Sequence, residues 1–152
     1  MNSQQRRLRR RLLGRQADDF QSHISRSGKD NFWKFTSLTV GNFEFSIQGS
    51  RAHYSKPREL ADPKAYEEME LAIFDDKGNW CVLSDNDSIQ TQVQFETCSR
   101  TTSVAPYVKV EAIQTMLDGV ALGIVRPVKL SDYWHIKDAH REIEAIVNNM
   151  DV

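Results

Sequence analysis

The chain has 152 residues, of which 39% are hydrophobic and 27% charged, and its formal net charge is -1. That length supports one globular domain able to bury about two-thirds of the surface its unfolded chain would expose, and the composition excludes a disordered chain or one that needs disulfide or metal staples. No apolar run approaches the roughly 18 residues of a membrane span, and the N-terminus lacks the apolar core of a secretory signal, so the expected address is the cytoplasm, with no membrane partner.

The charge is unevenly placed. Residues 1–34 hold nine Lys and Arg against three acids, a charge of +6 that leaves -7 for the rest of the chain. A basic head on an acidic body can attract nucleic acid through phosphate contacts from Arg6, Arg7, Arg9, Arg10, Arg11 and Arg15. It can equally dock on its own body or on that of a second copy. An Arg- and Leu-containing N-terminus also fits a transit peptide, against which Asp18 and Asp19 count. Read as a helix, residues 4–26 place Leu13, Ala17, Phe20 and Ile24 in one apolar stripe, with Leu8 and Leu12 near its start. Gly14 costs about 1 kcal/mol inside such a helix, so its stability is expected to come from docking. Residues 1–30 are therefore set apart as a basic helix or arm from an α+β domain over 31–152.

Ser27 to Asn31 is rich in turn formers, and Phe32 to Thr39 reads as a strand by its aromatic and β-branched content. Val40-Gly41-Asn42 suits a tight turn. After it Phe43, Phe45 and Ile47 alternate with Glu44, Ser46 and Gln48, the period of a strand with one buried face. Gly49 then points to a bulge or a close backbone approach.

The loop that follows gathers Arg51, His53, Tyr54, Ser55, Lys56, Arg58 and Glu59 within nine residues. Arg58 could grip a carboxylate or phosphate with both arms of its guanidinium, and His53 could move a proton. A phosphodiester-cleaving centre would also need a second acid or base, and none is identifiable. The competing reading is structural: Tyr54 packs on the sheet, Pro57 fixes the turn, and Arg58 pairs with Glu59 or another acid. The candidate ligand- or partner-binding residues are Arg51, His53, Tyr54, Ser55, Arg58 and Glu59.

Asp62-Pro63 opens a short helical turn through Tyr66, and Glu68 to Phe74 returns to strand. Asp75 to Asn79 supplies a hairpin turn into Trp80-Cys81-Val82-Leu83. Thr91, Val93 and Phe95 alternate with Gln92, Gln94 and Glu96 as a fifth strand, whereas Pro106 confines the run near Tyr107 to an edge or a loop. Cys81 and Cys98 lack C-x-x-C spacing and read as buried free thiols. From Val110 the period becomes helical through Ile113, Met116 or Leu117, and Val120. Ser131-Asp132 then caps a second helix in which Tyr133, Ile136, His140, Ile143 and Val147 share a face. The expected architecture is α+β: an antiparallel sheet of about five strands with the basic helix and two C-terminal helices on one side.

The motif search is negative for phosphate-binding loops, for dinucleotide fingerprints and for an H-E-x-x-H zinc site. His135 and His140, at i and i+5, project about 140° apart and cannot jointly face a metal, and Asp85-Asn86-Asp87 lacks the glycine and distal glutamate of a calcium loop. No cofactor or metal is therefore expected.

Ser46-Ile47-Gln48-Gly49-Ser50, His53 to Glu59, Tyr66 to Ala72 and Ala105 to Val110 form a pattern that resembles small uncharacterised proteins of bacteriophages and bacterial mobile elements. The resemblance spans about residues 40–120 and carries no activity. It implies a bacterial or phage cytoplasmic setting, and a cysteine often stands in that group where this chain has Ser55, so a thiol role is not carried over. The expectation is a non-enzymatic module that engages a protein partner or itself. The alternatives are a nucleic-acid binder using the six arginines of the head, and a small hydrolase or transferase centred on His53 and Arg58.

Overall fold

The computed structural model describes Ser3 and residues 19–26, 34–84, 87–96 and 99–150. Six strands form one sheet: β1 Leu38–Val40, β2 Phe43–Gln48, β3 Glu68–Asp75, β4 Trp80–Leu83, β5 Ala105–Lys109 and β6 Pro127–Lys129. Helices α1 (Val110–Ala121) and α2 (Leu130–Asn148) complete an α+β fold.

Turn chemistry and alternation build the first three strands. Gly41 sits at φ +60°, a conformation that costs a side-chain-bearing residue but not glycine, and it lets Val40 pair with Phe43. Phe45 and Ile47 are fully buried while Glu44 is exposed, as the period of two requires. At the second hairpin the Asp75 carboxylate accepts the Lys77 and Asn79 backbone N–H groups at 3.0 and 2.8 Å, closing the turn that returns the chain into β4.

The sheet runs β1-β2-β3-β4-β6 with antiparallel neighbours, and β5 also pairs with β3. Because β2 covers one edge of β3, the other edge is divided: Glu68, Met69 and Leu71 pair with β5, and Ile73 and Phe74 with β4. The main core lies on the face carrying Phe45, Ile47, Met69, Leu71, Ile73 and Cys81, where α1 lays down Ile113, Met116, Leu117 and Val120. Complete burial of side chains this size contributes about 2 kcal/mol each. Cys81 is the free buried thiol expected, and burial pushes it up to about 11, well away from reactivity. Cys98 lies outside the described residues.

Several expectations are corrected. Phe20 and Ile24 are buried, but through a 3-10 turn at Phe20–Ser22 and extended chain leading to a bridge between Arg26 and Phe35, not through a helix reaching residue 26. The expected helix over 4–18 and the turn at 27–31 lie outside the described residues. Of the described residues of the expected 32–39 strand, Leu38 and Thr39 join the sheet, continuing into Val40, and Phe35 forms an isolated bridge to Arg26. Residues 91–96 do not form the fifth strand. Ser88–Thr91 is a 3-10 turn, and Val93 is buried in the core without a ladder, while Ala105–Lys109 pairs with β3. Pro106 does sit at an edge, since β5 pairs with β3 alone. Helix α2 begins at Leu130, one residue after β6, with Asp132 in its first turn rather than at its cap. Among the described residues no helix is long and apolar enough to cross a membrane.

Candidate functional site

The loop from Gly49 to Ala61 is held from beneath by Tyr66. That ring is buried, packs edge-on to Phe35 with centroids 5.9 Å apart, and sends its hydroxyl into the loop. The hydroxyl oxygen accepts the Ala61 N–H at 3.1 Å and a guanidinium N–H of Arg26 at 2.9 Å. Its proton has two carbonyl acceptors, Gly49 at 2.9 Å and Glu59. Arg26 adds donations to the Gly49 and Ala61 carbonyls, both at 2.9 Å, with its guanidinium 3.8 Å from the centroid of the Phe35 ring. One tyrosine and one arginine thus tie the start and the end of the loop together. Gly49 is required by space: a Cβ there would stand 2.4 Å from Tyr66 Cε1.

Tyr54 is clamped at its backbone between two strands. Its N–H donates to the Glu70 carboxylate at 3.0 Å, and its carbonyl accepts the Tyr107 N–H at 3.0 Å. The second contact comes from a bulge. Met69 pairs with Val108 and Leu71 with Ala105, so Pro106 and Tyr107 oppose the single residue Glu70. Pro106 has no N–H to offer a ladder, and Tyr107 takes up φ +49°, a strained backbone for a bulky residue that aims its N–H at the loop. The two rings lie 5.7 Å apart, and the Arg58 guanidinium lies 5.0 Å from the Tyr54 ring centroid with its Nε–H donating to the Arg51 carbonyl at 3.2 Å. Tyr54 is 42% and Tyr107 45% exposed, so the rings and the cation form an outward platform rather than a core contact.

The remaining candidates have distinct places. Ser55 is buried and donates to the Pro57 carbonyl at 2.9 Å, closing the turn around a cis Lys56-Pro57 bond. Arg51 and Glu59 are exposed, and each lends the loop its carbonyl. Arg58 makes no ion pair with Glu59. Half-buried His53 places Nδ1 2.6 Å from Ser50 Oγ, which also accepts the Ala52 N–H at 3.0 Å. Ser50 is wholly buried, so this pair is a turn brace rather than a nucleophile and base open to substrate. No group of three His, Cys, Asp or Glu among the described residues could hold a metal ion.

Desolvation, helped by Lys34 and Arg26 and opposed by Glu70, holds His53 below its ordinary value of 6.5. Its folded form therefore binds a proton less readily than the unfolded chain. The stability from the neutral ring is complete above pH 6.5 and is lost as the pH falls through the folded-state value. His53→Gln is expected to flatten the fall in melting temperature that sets in as the pH drops below 6.5. Parallel curves for the two proteins would exclude that contribution.

Sequence reading gathered the loop but missed the groups that shape it: Arg26, Ser50, Tyr66, Glu70 and Tyr107. The competing structural reading put the bracing ring at Tyr54, whereas Tyr66 holds that place. Gly49, read for close approach, was the available signal that a large side chain must lie against that position. A comparison with known proteins finds no matching family model, no matching curated protein and no matching solved structure.

Proposed function

We propose that the protein is a small non-enzymatic binding module that engages a protein partner through Tyr54, Tyr107 and Arg58, with Arg51 at the margin. The observation that carries this reading is the pair of half-exposed tyrosines capped by an arginine, on a backbone fixed at Tyr54 from both sides. Tyr and Arg are among the side chains enriched at the energetic centres of protein interfaces, where they offer large contact area and directed hydrogen bonds. A pre-formed platform lowers the ordering cost further. The resemblance to phage and mobile-element proteins fits a module of this kind acting on a protein of a bacterial host.

A photo-crosslinking amino acid placed at Tyr107 and, as control, at exposed Lys77 tests this in a lysate of the source cells. A discrete adduct from position 107 and none from 77 is expected; equal labelling from both positions, or from neither, contradicts the assignment. The alternative is nucleic-acid binding by Arg6, Arg7, Arg9, Arg10, Arg11 and Arg15, which lie outside the described residues. An exposed tyrosine pair would also suit stacked bases. Four phosphate contacts on duplex DNA would give a slope of log affinity on log salt of about -3.6, and salt-independent or absent binding removes the alternative.

A further inference from the structure

The Tyr54 platform carries polar groups that the fold itself does not use. Arg58 spends its Nε–H on the Arg51 carbonyl at 3.2 Å, and that bond, with the Tyr54 ring centroid 5.0 Å away, fixes where the guanidinium lies. Among the described residues no carboxylate or carbonyl takes the two Nη groups of Arg58 or the guanidinium of exposed Arg51, and nothing holds the hydroxyls of Tyr54 and Tyr107. Two neighbouring acids are engaged with other groups: Glu70 accepts the Tyr54 N–H at 3.0 Å, and Glu67 pairs with Lys56 at 3.3 Å. A guanidinium whose Nε–H is spent no longer grips a carboxylate side-on through Nε and Nη, but its end-on pair, Nη1 and Nη2, is complete. The two oxygens of a carboxylate match that pair, whereas an amide carbonyl or a hydroxyl supplies a single, uncharged acceptor.

Resting on the reading of this face as a protein-binding surface, we infer that the segment it takes presents one Asp or Glu carboxylate to the Nη pair of Arg58, with a proline or aromatic side chain beside it on the rings of Tyr54 and Tyr107. Proline and aromatic rings are the groups that exposed tyrosines cover best, through flat apolar contact. Their packing also screens the ion pair from water, where an arginine-carboxylate pair gains most over its exposed counterpart. The charge of the body limits the segment to a single acid. Residues 35–152 sum to -7, and Glu59, Asp62, Glu67, Glu68 and Glu70 all belong to the loop and the strand that follows it. A run of acids would be repelled by these, while one carboxylate set among uncharged residues meets the arginine without that cost.

The test uses the whole chain, fluorescently labelled, on an array of short peptides blocked at both ends. The central residue is Glu, Asp, Gln or Asn, its neighbours are drawn from Pro, Phe, Tyr and Ser, and a further set carries Glu at the neighbouring positions as well. Peptides with one central acid beside a proline or aromatic should bind about 10-fold or more tightly than their Gln or Asn twins, and the added acids should bring no further gain. The preference should vanish in Arg58→Gln and be partly kept in Arg58→Lys, which retains the charge and loses the fork. Melting curves of the two variants check the fold, and the Glu-to-Gln comparison on the wild type does not depend on them. Twins that bind alike, an array on which nothing binds, a preference that survives Arg58→Gln, or affinity that climbs with each added acid overturns the inference. Peptides that bind without regard to the acid and are lost in Tyr107→Ala would overturn the carboxylate alone and leave the platform as the binding face; that reading fails separately, through cross-linking at position 107.

Discussion

Tyr66→Ala is expected to cost about 4 kcal/mol, lowering the melting temperature by roughly 10 to 15 °C. The ring is 2% exposed, so truncation removes a buried aromatic and opens a cavity beside Phe35. It also strips the hydroxyl from the Ala61 N–H and from Arg26, and takes a donor from the Gly49 and Glu59 carbonyls. Tyr66→Phe isolates the polar part, for which about 2 kcal/mol is expected. Tyr54→Ala, on the exposed platform, should cost about 1 kcal/mol or less. Denaturant melts of the three variants check the order, and a Tyr54 loss equal to that of Tyr66→Ala would return the bracing role to Tyr54.

Gly49→Ala is the second large effect, at about 3 kcal/mol. The added methyl would meet Tyr66 Cε1, Cζ and Cδ1 at 2.4, 2.6 and 2.8 Å. A flexible side chain could swing aside, but this ring is fixed by the hydroxyl's bonds on one side and Phe35 on the other. Relief must therefore come from moving the loop, which breaks the same bonds. The two predictions are coupled: in Tyr66→Ala the methyl has room, so Gly49→Ala added to it should cost far less than in the wild type. Additive losses in that double-mutant cycle would place the strain of the alanine elsewhere.

What could be read in the sequence was local. The alternation of Phe45 and Ile47, the glycine turn at Gly41 and the Asp75–Asn79 turn each carry their structure within a few residues, and β2, β3 and β4 appear where those signals put them. Residues 91–96 carry an equally clear alternation and are not a strand: Val93 is buried in the core off any ladder, and Ala105–Lys109 is the segment that pairs with that part of β3. Alternation alone does not say which segment joins the sheet. Helix α2 makes the same point differently. Its periodicity named the residues that share a face, but period alone does not say whether that face turns inward; Trp134 and Asp138, gripped by Ser99 and Arg100, decide it. At the candidate site the loop was visible as a cluster of polar groups. The partners that order it, Arg26 and Tyr107, arrive from 23 residues before Gly49 and from within a bulge of β5.

The most direct test of the proposed role is the affinity of Tyr107→Ala with Arg58→Ala for the protein cross-linked at position 107, measured beside the melting curve of the same variant. Both side chains are exposed, so the fold should be little changed. The loss of two central interface residues should weaken binding by roughly 100-fold or more. Unchanged affinity in a folded variant would contradict the assignment of this face as the binding surface.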